Sequence, residues 1–347
     1  MNSLGKRLVL TSFGESHGPA MGGVLDGFPP GFKVDFEELQ RFVDRRRPGA
    51  SSDVSARREA DKPEFLSGLS PEGVTLGSPL AFVIRNLDTR SSDYAAMQEA
   101  FRPNHADYTY RARYGIHDVR GGGRASARDT VSRVVAGALA LQWLRTKGVE
   151  VSARLENEEA TRAAAIAARA EADSVGGIVE GCISGLPRGL GDPVFGKFQA
   201  DLAAAMLSIN ASMGFEFGRG FSAALMRGSE MADCMRPRLS RQDAGKSMAS
   251  FSKVDGDLPQ PEFMSNNCGG LNGGITNGEP VCFRVAFKPT PSIPRELATI
   301  GPDGKARMLS VYGRHDPCVA VRAVPVVEAV AALVAADAIL SDPRCNY

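Results

Sequence analysis

Apolar and polar positions divide the chain into short apolar runs near its start and two long apolar stretches further on. Leu8-Val9-Leu10-Thr11-Ser12 reads as a strand that breaks at Gly14-Glu15-Ser16-His17-Gly18-Pro19. A second run, Met21 to Leu25, ends at Asp26-Gly27-Phe28-Pro29-Pro30-Gly31. Short runs separated by turn residues predict strands feeding a loop that carries polar groups. Asp35 to Asp44 follows with Phe36, Leu39, Phe42 and Val43 on one helical face. From Ser126 a helix is predicted. Ser126-Ala127-Arg128-Asp129 resembles a capping box, Val131, Val134, Val135, Ala138 and Leu141 keep helical spacing, and Lys147-Gly148 supplies the stop.

Leu155 to Ser174, rich in alanine and glutamate, reads as a solvent-facing helix or a mobile insert, and Ala200 to Ile209 as another helix. Arg236 to Gln260 is polar and glycine-bearing and predicts a long loop. Asn266 to Gly278 is dense in glycine, Pro280 to Phe287 is strand-like, and Lys288-Pro289-Thr290-Pro291-Ser292 is an extended turn. The most apolar stretch, Val319 to Leu340, is interrupted by Arg322, Pro325, Glu328 and Asp337, which predicts a buried helix rather than a membrane span. With no internal repeat or linker evident, the expectation is one domain over residues 1–347.

Charge changes this picture mainly by exclusion. The formal net charge of +1 disfavours a broad nucleic-acid surface, although Arg102 to Arg133 alone carries seven arginines. The start, Met1 to Arg7, shows no secretory pattern. The six cysteines (Cys182, Cys234, Cys268, Cys282, Cys318, Cys345) show no Cys-x-x-Cys pair, so free thiols in a cytoplasmic setting are expected.

Candidate chemistry gathers in four places. Arg120-Gly121-Gly122-Gly123-Arg124-Ala125-Ser126 opens onto a helix. Glycines let backbone N–H groups approach a ligand, a helix start is electropositive, and arginines suit phosphate or carboxylate. A glycine turn before a capped helix explains the segment equally well, and its spacing fits neither the dinucleotide fingerprint nor the P-loop. The histidines His17, His105, His117 and His315 all sit in polar segments and are candidates for proton transfer. They lack the spacing of a metal site or a serine hydrolase. Arg314-His315-Asp316-Pro317-Cys318 is either a charged turn or a rigid edge facing a ligand. Cys268-Gly269-Gly270-Leu271-Asn272-Gly273-Gly274 implies close backbone approach, to the chain itself or to a flat ring.

Taken together and in order, these segments resemble the chorismate synthase family. The resemblance runs through Gly14 to Gly18, Asp44-Arg45-Arg46-Arg47-Pro48-Gly49, Phe101-Arg102-Pro103-Asn104-His105-Ala106-Asp107 and Gly121 to Arg128. It continues through Ser208-Ile209-Asn210-Ala211, the double-glycine segment, Lys288-Pro289-Thr290 and Arg314 to Cys318. It implies an α+β fold, a β-α-β sandwich with a central helical layer between two antiparallel sheets, assembled as a homotetramer. Val131–Leu144 and Pro325–Leu340 suit the inner layer because each is apolar around most of its circumference.

The activity implied is a carbon–oxygen lyase reaction, the loss of phosphate from 5-enolpyruvylshikimate 3-phosphate to give chorismate, with reduced FMN required but not consumed. By resemblance, His17 protonates the leaving phosphate and His105 the reduced flavin. Asp316 assists flavin N5 in removing the substrate proton, and Ser16 and Ser126 act as relays. Arg124, Ala125, Ser126, Asn210, Ala211, Gly273, Lys288, Pro289, Thr290, Pro291, Ser292 and Arg314 match positions lining the FMN site, and Arg46 matches one associated with substrate or NADPH. Ser52 stands where many relatives have arginine, Asn104 where glycine is usual, and Ala125 and Pro291 replace common serines. Ser52 leans the reading towards a form supplied with reduced flavin by an external flavin reductase, NADPH being an indirect reductant. The rivals are an NAD(P)H-dependent flavin reductase and a nucleic-acid-binding module.

Overall fold

The computed structural model describes residues 1–47, 61–86, 99–116, 122–237, 261–312 and 316–344. Ser52, His117, Arg120, Gly121, Arg314, His315, Cys345 and nearly all of the loop expected over Arg236 to Gln260 lie outside the described residues.

The first sheet joins β1 (Ser3–Leu4), β2 (Val9–Gly14), β3 (Ala20–Asp26), β4 (Pro63–Phe65) and β5 (Leu80–Arg85) in the order β1-β2-β3-β5-β4, every pair antiparallel. β5 alternates: Leu80, Phe82 and Ile84 are buried while Ala81 and Val83 are half-buried, the period of a strand with one core face. The second sheet uses β6 (Glu150–Leu155), β7 (Gly177–Ser184) and β8 (Ser212–Phe217). Two hairpins follow, β9 (Met235–Pro237) with β10 (Pro261–Phe263) and β11 (Leu271–Asn272) with β12 (Ile275–Thr276). β13 (Val281–Phe287) completes the second sheet in the antiparallel order β6-β7-β13-β8. A last hairpin pairs β14 (Leu297–Ile300) with β15 (Ala306–Leu309).

Between the two sheets lie α1 (Phe36–Arg46), α3 (Thr130–Thr146), α5 (Phe198–Leu207) and α7 (Val319–Ser341); α2 (Asp107–Tyr114), α4 (Glu158–Ala170) and α6 (Gly228–Met231) lie elsewhere in the chain. α3 touches β2 and β3, α7 touches β6 and β7, and the two helices pack on each other. At their crossing Gly137 meets Ala329, where an added Cβ would lie 2.4 Å from the alanine's own. One continuous hydrophobic cluster runs through both sheets and these helices. The expected sandwich with a helical middle is therefore the fold.

Sequence-level boundaries hold closely. Asp35 caps α1 by accepting the Glu38 N–H at 2.8 Å. Ser126 accepts the Arg128 N–H at 3.3 Å, capping a short 3-10 turn, Ala127–Asp129, that runs into α3 at Thr130. Leu155 to Ser174 resolves into the end of β6 and helix α4. The apolar C-terminal helix begins six residues before Pro325 and passes through it.

The polar residues that interrupt α7 fasten it to its surroundings. Asp337 accepts the backbone N–H groups of Lys6, Arg7 and Leu8 at 2.7–2.9 Å. Glu328 accepts the Ala153 N–H at 3.0 Å and pairs with Arg45 at 2.6 Å. Of the most apolar window of α7, 89% is buried inside the protein. Each buried carboxylate is met by donors, which removes the penalty of an unpaired charge.

Candidate active site

Ser16 and His17 sit on the turn between β2 and β3. Ser16 is fully buried, and its hydroxyl lies 3.1 Å from His17 Nδ1. The turn is held by Asn86, whose amide donates to Glu15 O at 3.0 Å and Gly18 O at 2.8 Å. Asn86 in turn accepts from Arg128 Nε at 3.1 Å. Arg128 and Arg46 both grip the buried Asp61 carboxylate, Arg46 at 2.8 Å. Arg46 also donates to Thr130 Oγ1 at 2.9 Å and Ala127 O at 3.0 Å. Burial works to raise the Asp61 carboxyl, but the two guanidiniums outweigh it and hold it below its ordinary value. Burial lowers the Arg46 pKa and Asp61 opposes that.

The network continues into α7. Arg322 donates to Arg46 O at 3.0 Å and to the Asp316 carboxylate at 2.8 Å. Arg46, Asn210, Asp316 and Arg322 share the wall of one pocket with Ile209 and Val319. Arg46 is only 1% exposed and each of its three guanidinium nitrogens donates to a protein acceptor, so it acts as a girder under the start of α3.

A second group forms around His105. Its Nδ1 lies 2.7 Å from Asp107 Oδ1, and Arg102 grips the same carboxylate with two bonds of 2.7 Å. Asp107 carries this load at the first residue of α2. Burial works to raise the Asp107 carboxyl, but the bonds from Arg102 and His105 hold it well below the usual carboxylate range. Burial also pushes the His105 imidazole below its ordinary value, and Asp107 opposes the shift. The other edge of the ring faces Gly122, where an added Cβ would lie 2.7 Å from His105 Cε1 and 3.1 Å from Nε2. Gly122 has φ +85°, a conformation glycine adopts freely.

Residues of the 288–292 turn close on the same group. Lys288 Nζ donates to Asn104 O at 2.6 Å, Lys288 N to Ala211 O at 3.0 Å, and Arg102 Nη1 to Ser292 Oγ at 3.4 Å. Thr290 O accepts from Ser174 at 2.8 Å, and Pro289 lies against Gly176. Pro291 is half-buried between them. Asn104 has φ +59°, so the residue standing where glycine is usual keeps the left-handed backbone that asparagine tolerates.

Both groups meet over residues 122–130. Arg124 donates to Ser12 Oγ at 2.7 Å and pairs with Asp129 at 2.8 Å, and the Asn210 amide donates to Arg124 O at 3.3 Å. Ala125 and Ser126 lie between these contacts and Arg128. The structure thus ties the His17 turn, the His105 loop, Arg124 to Ser126, Asn210, Ala211, Lys288 to Ser292 and Asp316 into one continuous region. Gly273 stands apart. Its hairpin meets the start of α5, where Gln199 N donates to Gly274 O at 3.3 Å, whereas Asn210 follows the end of that helix. Ten helical residues separate those ends by about 15 Å.

Four buried polar atoms in this region have no hydrogen-bond partner among the described residues; Arg124 Nη1 and Asp129 Oδ1 meet as an ion pair at 2.8 Å, which leaves Asn210 Oδ1 and Arg128 Nη2. One is a bare acceptor and the other a bare cationic donor, the pair a ligand with both N–H and anionic groups would satisfy. Sequence reasoning missed Asp61, Asn86, Arg128 and Arg102 as site-building residues. Asp107 and Arg102 lay inside the Phe101–Asp107 motif, yet only the fold shows that they serve His105.

A family model described as chorismate synthase matches residues 8–161 and 154–340. The chain belongs to the chorismate synthase family. It is 47% identical to the chorismate synthase of Porphyromonas gingivalis, over 100% of this chain and 98% of that one. It is 45% identical to that of Opitutus terrae, over 97% and 96% respectively. A crystal structure of chorismate synthase matches the fold with a TM-score of 0.67 at 26% identity, covering 97% of this chain and 92% of that one. The enzyme is accordingly a lyase of the chorismate synthase type.

Proposed function

We propose that this chain converts 5-enolpyruvylshikimate 3-phosphate into chorismate and inorganic phosphate by an anti-1,4-elimination, as the last common step of aromatic amino acid biosynthesis, with reduced FMN bound and not consumed. The observation that carries the reading is the convergence of the His17 turn and the His105 loop on residues 122–130, where Arg124, Arg128 and Asn210 stand. The orphaned Asn210 Oδ1 and Arg128 Nη2 support a partner bearing both N–H and anionic groups, and a reduced flavin beside a phosphorylated substrate has both.

When bound, the flavin supplies transient electron donation that eases loss of phosphate. The chain's own residues do the rest. Arg124 and Lys288, with Ala125, Ser126, Asn210, Ala211 and Pro289 to Ser292, bind and orient the cofactor. Arg128 and Arg322 set a positive field in which charge developing on the leaving group is stabilised. His17, oriented by Ser16 at its Nδ1, gives a proton to the departing phosphate from its other ring nitrogen. His105, held at Nδ1 by Asp107, holds or moves a proton at Nε2 on the Gly122 side. Asp316, held by Arg322, takes part in removing the substrate proton. Gly273 and Arg314 belong to the proposed flavin set by resemblance alone.

The engaged guanidinium of Arg46 favours a substrate-side supporting role over direct NADPH binding, so reduced flavin is supplied by an external flavin reductase and NADPH acts indirectly. The chain is proposed to act as one domain over residues 1–347, as a homotetramer in the cytoplasm. The hydrophobic cluster that runs through both sheets and the burial of α7 support this reading. An anaerobic assay with dithionite-reduced FMN and 5-enolpyruvylshikimate 3-phosphate tests the reading. Chorismate and phosphate should appear together and outlast one equivalent of flavin. Oxidation of NADPH without the shikimate substrate, and no chorismate, would favour a flavin reductase.

A further inference from the structure

Away from the site, β7 and β13 bring two cysteines face to face. Cys182 and Cys282 are direct cross-strand partners, and their sulfurs lie 3.9 Å apart. Cys282 turns its backbone away from β7: its N–H donates to Gly269 O at 3.4 Å and its carbonyl accepts from Gly218 N at 3.0 Å. In an antiparallel strand, N–H and C=O of one residue point to the same side, so within the β7–β13 ladder this is a non-hydrogen-bonded pair. Such pairs hold their Cα atoms about 4.5 Å apart, inside the roughly 4.4–6.8 Å that disulfides span. Both side chains are half-buried and alternate with the buried Val281, Phe283 and Ile183, which places them on the sheet's outer face.

We propose that Cys182 and Cys282 form an oxidisable dithiol, which a two-electron oxidant of the hydrogen peroxide class converts into a disulfide joining β7 to β13. Cys282 is the attacking sulfur. As a thiolate it has no proton to give and can only accept the Cys182 S–H across the 3.9 Å contact, and the Asn266 amide nitrogen stands 4.0 Å from it. The Cys182 hydrogen bond outweighs burial and lowers the Cys282 thiol pKa to about 7, while the same contact raises that of Cys182. In the first step the Cys282 thiolate attacks a peroxide oxygen: an S–O bond forms, the O–O bond breaks, and the departing hydroxide takes a proton to become water. The Cys182 sulfur then attacks the sulfenic sulfur: the S–S bond forms, the S–O bond breaks, and the Cys182 proton leaves with the hydroxyl as a second water. Two thiols give up two electrons, and one peroxide is reduced to two waters. The bond would pin β13 in register just before it delivers Lys288, although the proposal does not depend on what that residue binds.

The test uses the full-length protein, reduced and freed of reductant, then titrated with hydrogen peroxide, alkylated with N-ethylmaleimide and digested without reduction. A peptide pair linked through Cys182 and Cys282 is expected, lighter by two hydrogens and released by dithiothreitol, while the exposed Cys234 still alkylates. In Cys182→Ser, dimedone should trap a sulfenic acid at Cys282 and no link should form. If Cys182 and Cys282 alkylate after peroxide as fully as Cys234, or link to other cysteines instead, the proposal is wrong. Because the wild-type map decides the matter, a variant that fails to fold leaves the outcome readable.

Discussion

Asp107 holds His105 Nδ1 at 2.7 Å and is itself clamped by Arg102, so the ring nitrogen left to act is the one facing Gly122. Asp107→Asn removes the group that raises the His105 pKa. The pH limb due to His105 should move to lower pH, and kcat should fall by at least roughly tenfold, since loss of the orienting carboxylate of a catalytic histidine can cost up to about 10⁴-fold. pH profiles of kcat with prereduced FMN check this. A purely structural role would leave the limb where it is.

Stability should fall with pH in two windows. The His105 pKa is lowered in the fold, so between the unfolded value near 6.5 and the folded value the unfolded chain binds the extra proton and stability is lost as pH falls. Asp107 and Asp61 have lowered pKa values, so their contribution is full above the unfolded value of 3.8 and disappears as pH falls below it. Thermal melts from pH 8 to pH 3 should show both declines, and Asp107→Asn should flatten the second.

Asp61→Asn leaves Arg46 and Arg128 buried without their shared counter-charge. Breaking such a group costs about 3–5 kcal/mol, measurable by urea unfolding. A loss within experimental scatter would mean that the two guanidiniums do not depend on Asp61.

Gly122→Ala puts a methyl group 2.7 Å from the His105 ring at a φ that favours glycine. The chain should fold with a penalty of about 1–2 kcal/mol and lose turnover at least about tenfold as the ring is displaced. At position 104 the opposite holds. Asn104→Gly keeps the left-handed backbone and should leave turnover unchanged, whereas a β-branched residue there should destabilise the Lys288 contact. Steady-state assays of these variants separate the two effects.

Much of the fold was legible because its signals are local. α3 and α7 are apolar around their circumference, as a layer between two sheets requires, and Ser126 marks a helix start by side-chain capping. The Asn104 departure also became intelligible once its φ was known. Asp61 was invisible for a physical reason: it joins Arg46 to Arg128 across sequence gaps that leave no periodic trace. Gly273 matched the family pattern, but a pattern does not tell where its hairpin lies relative to α5.

The central claim is that His17 and His105, brought from separate loops, serve one reaction. The most direct measurement is chorismate formation by His17→Ala and by His105→Ala, each assayed anaerobically with prereduced FMN. Turnover should drop in both by roughly 10²- to 10⁴-fold, the usual contribution of a positioned proton donor. Near-normal turnover in both would contradict the account.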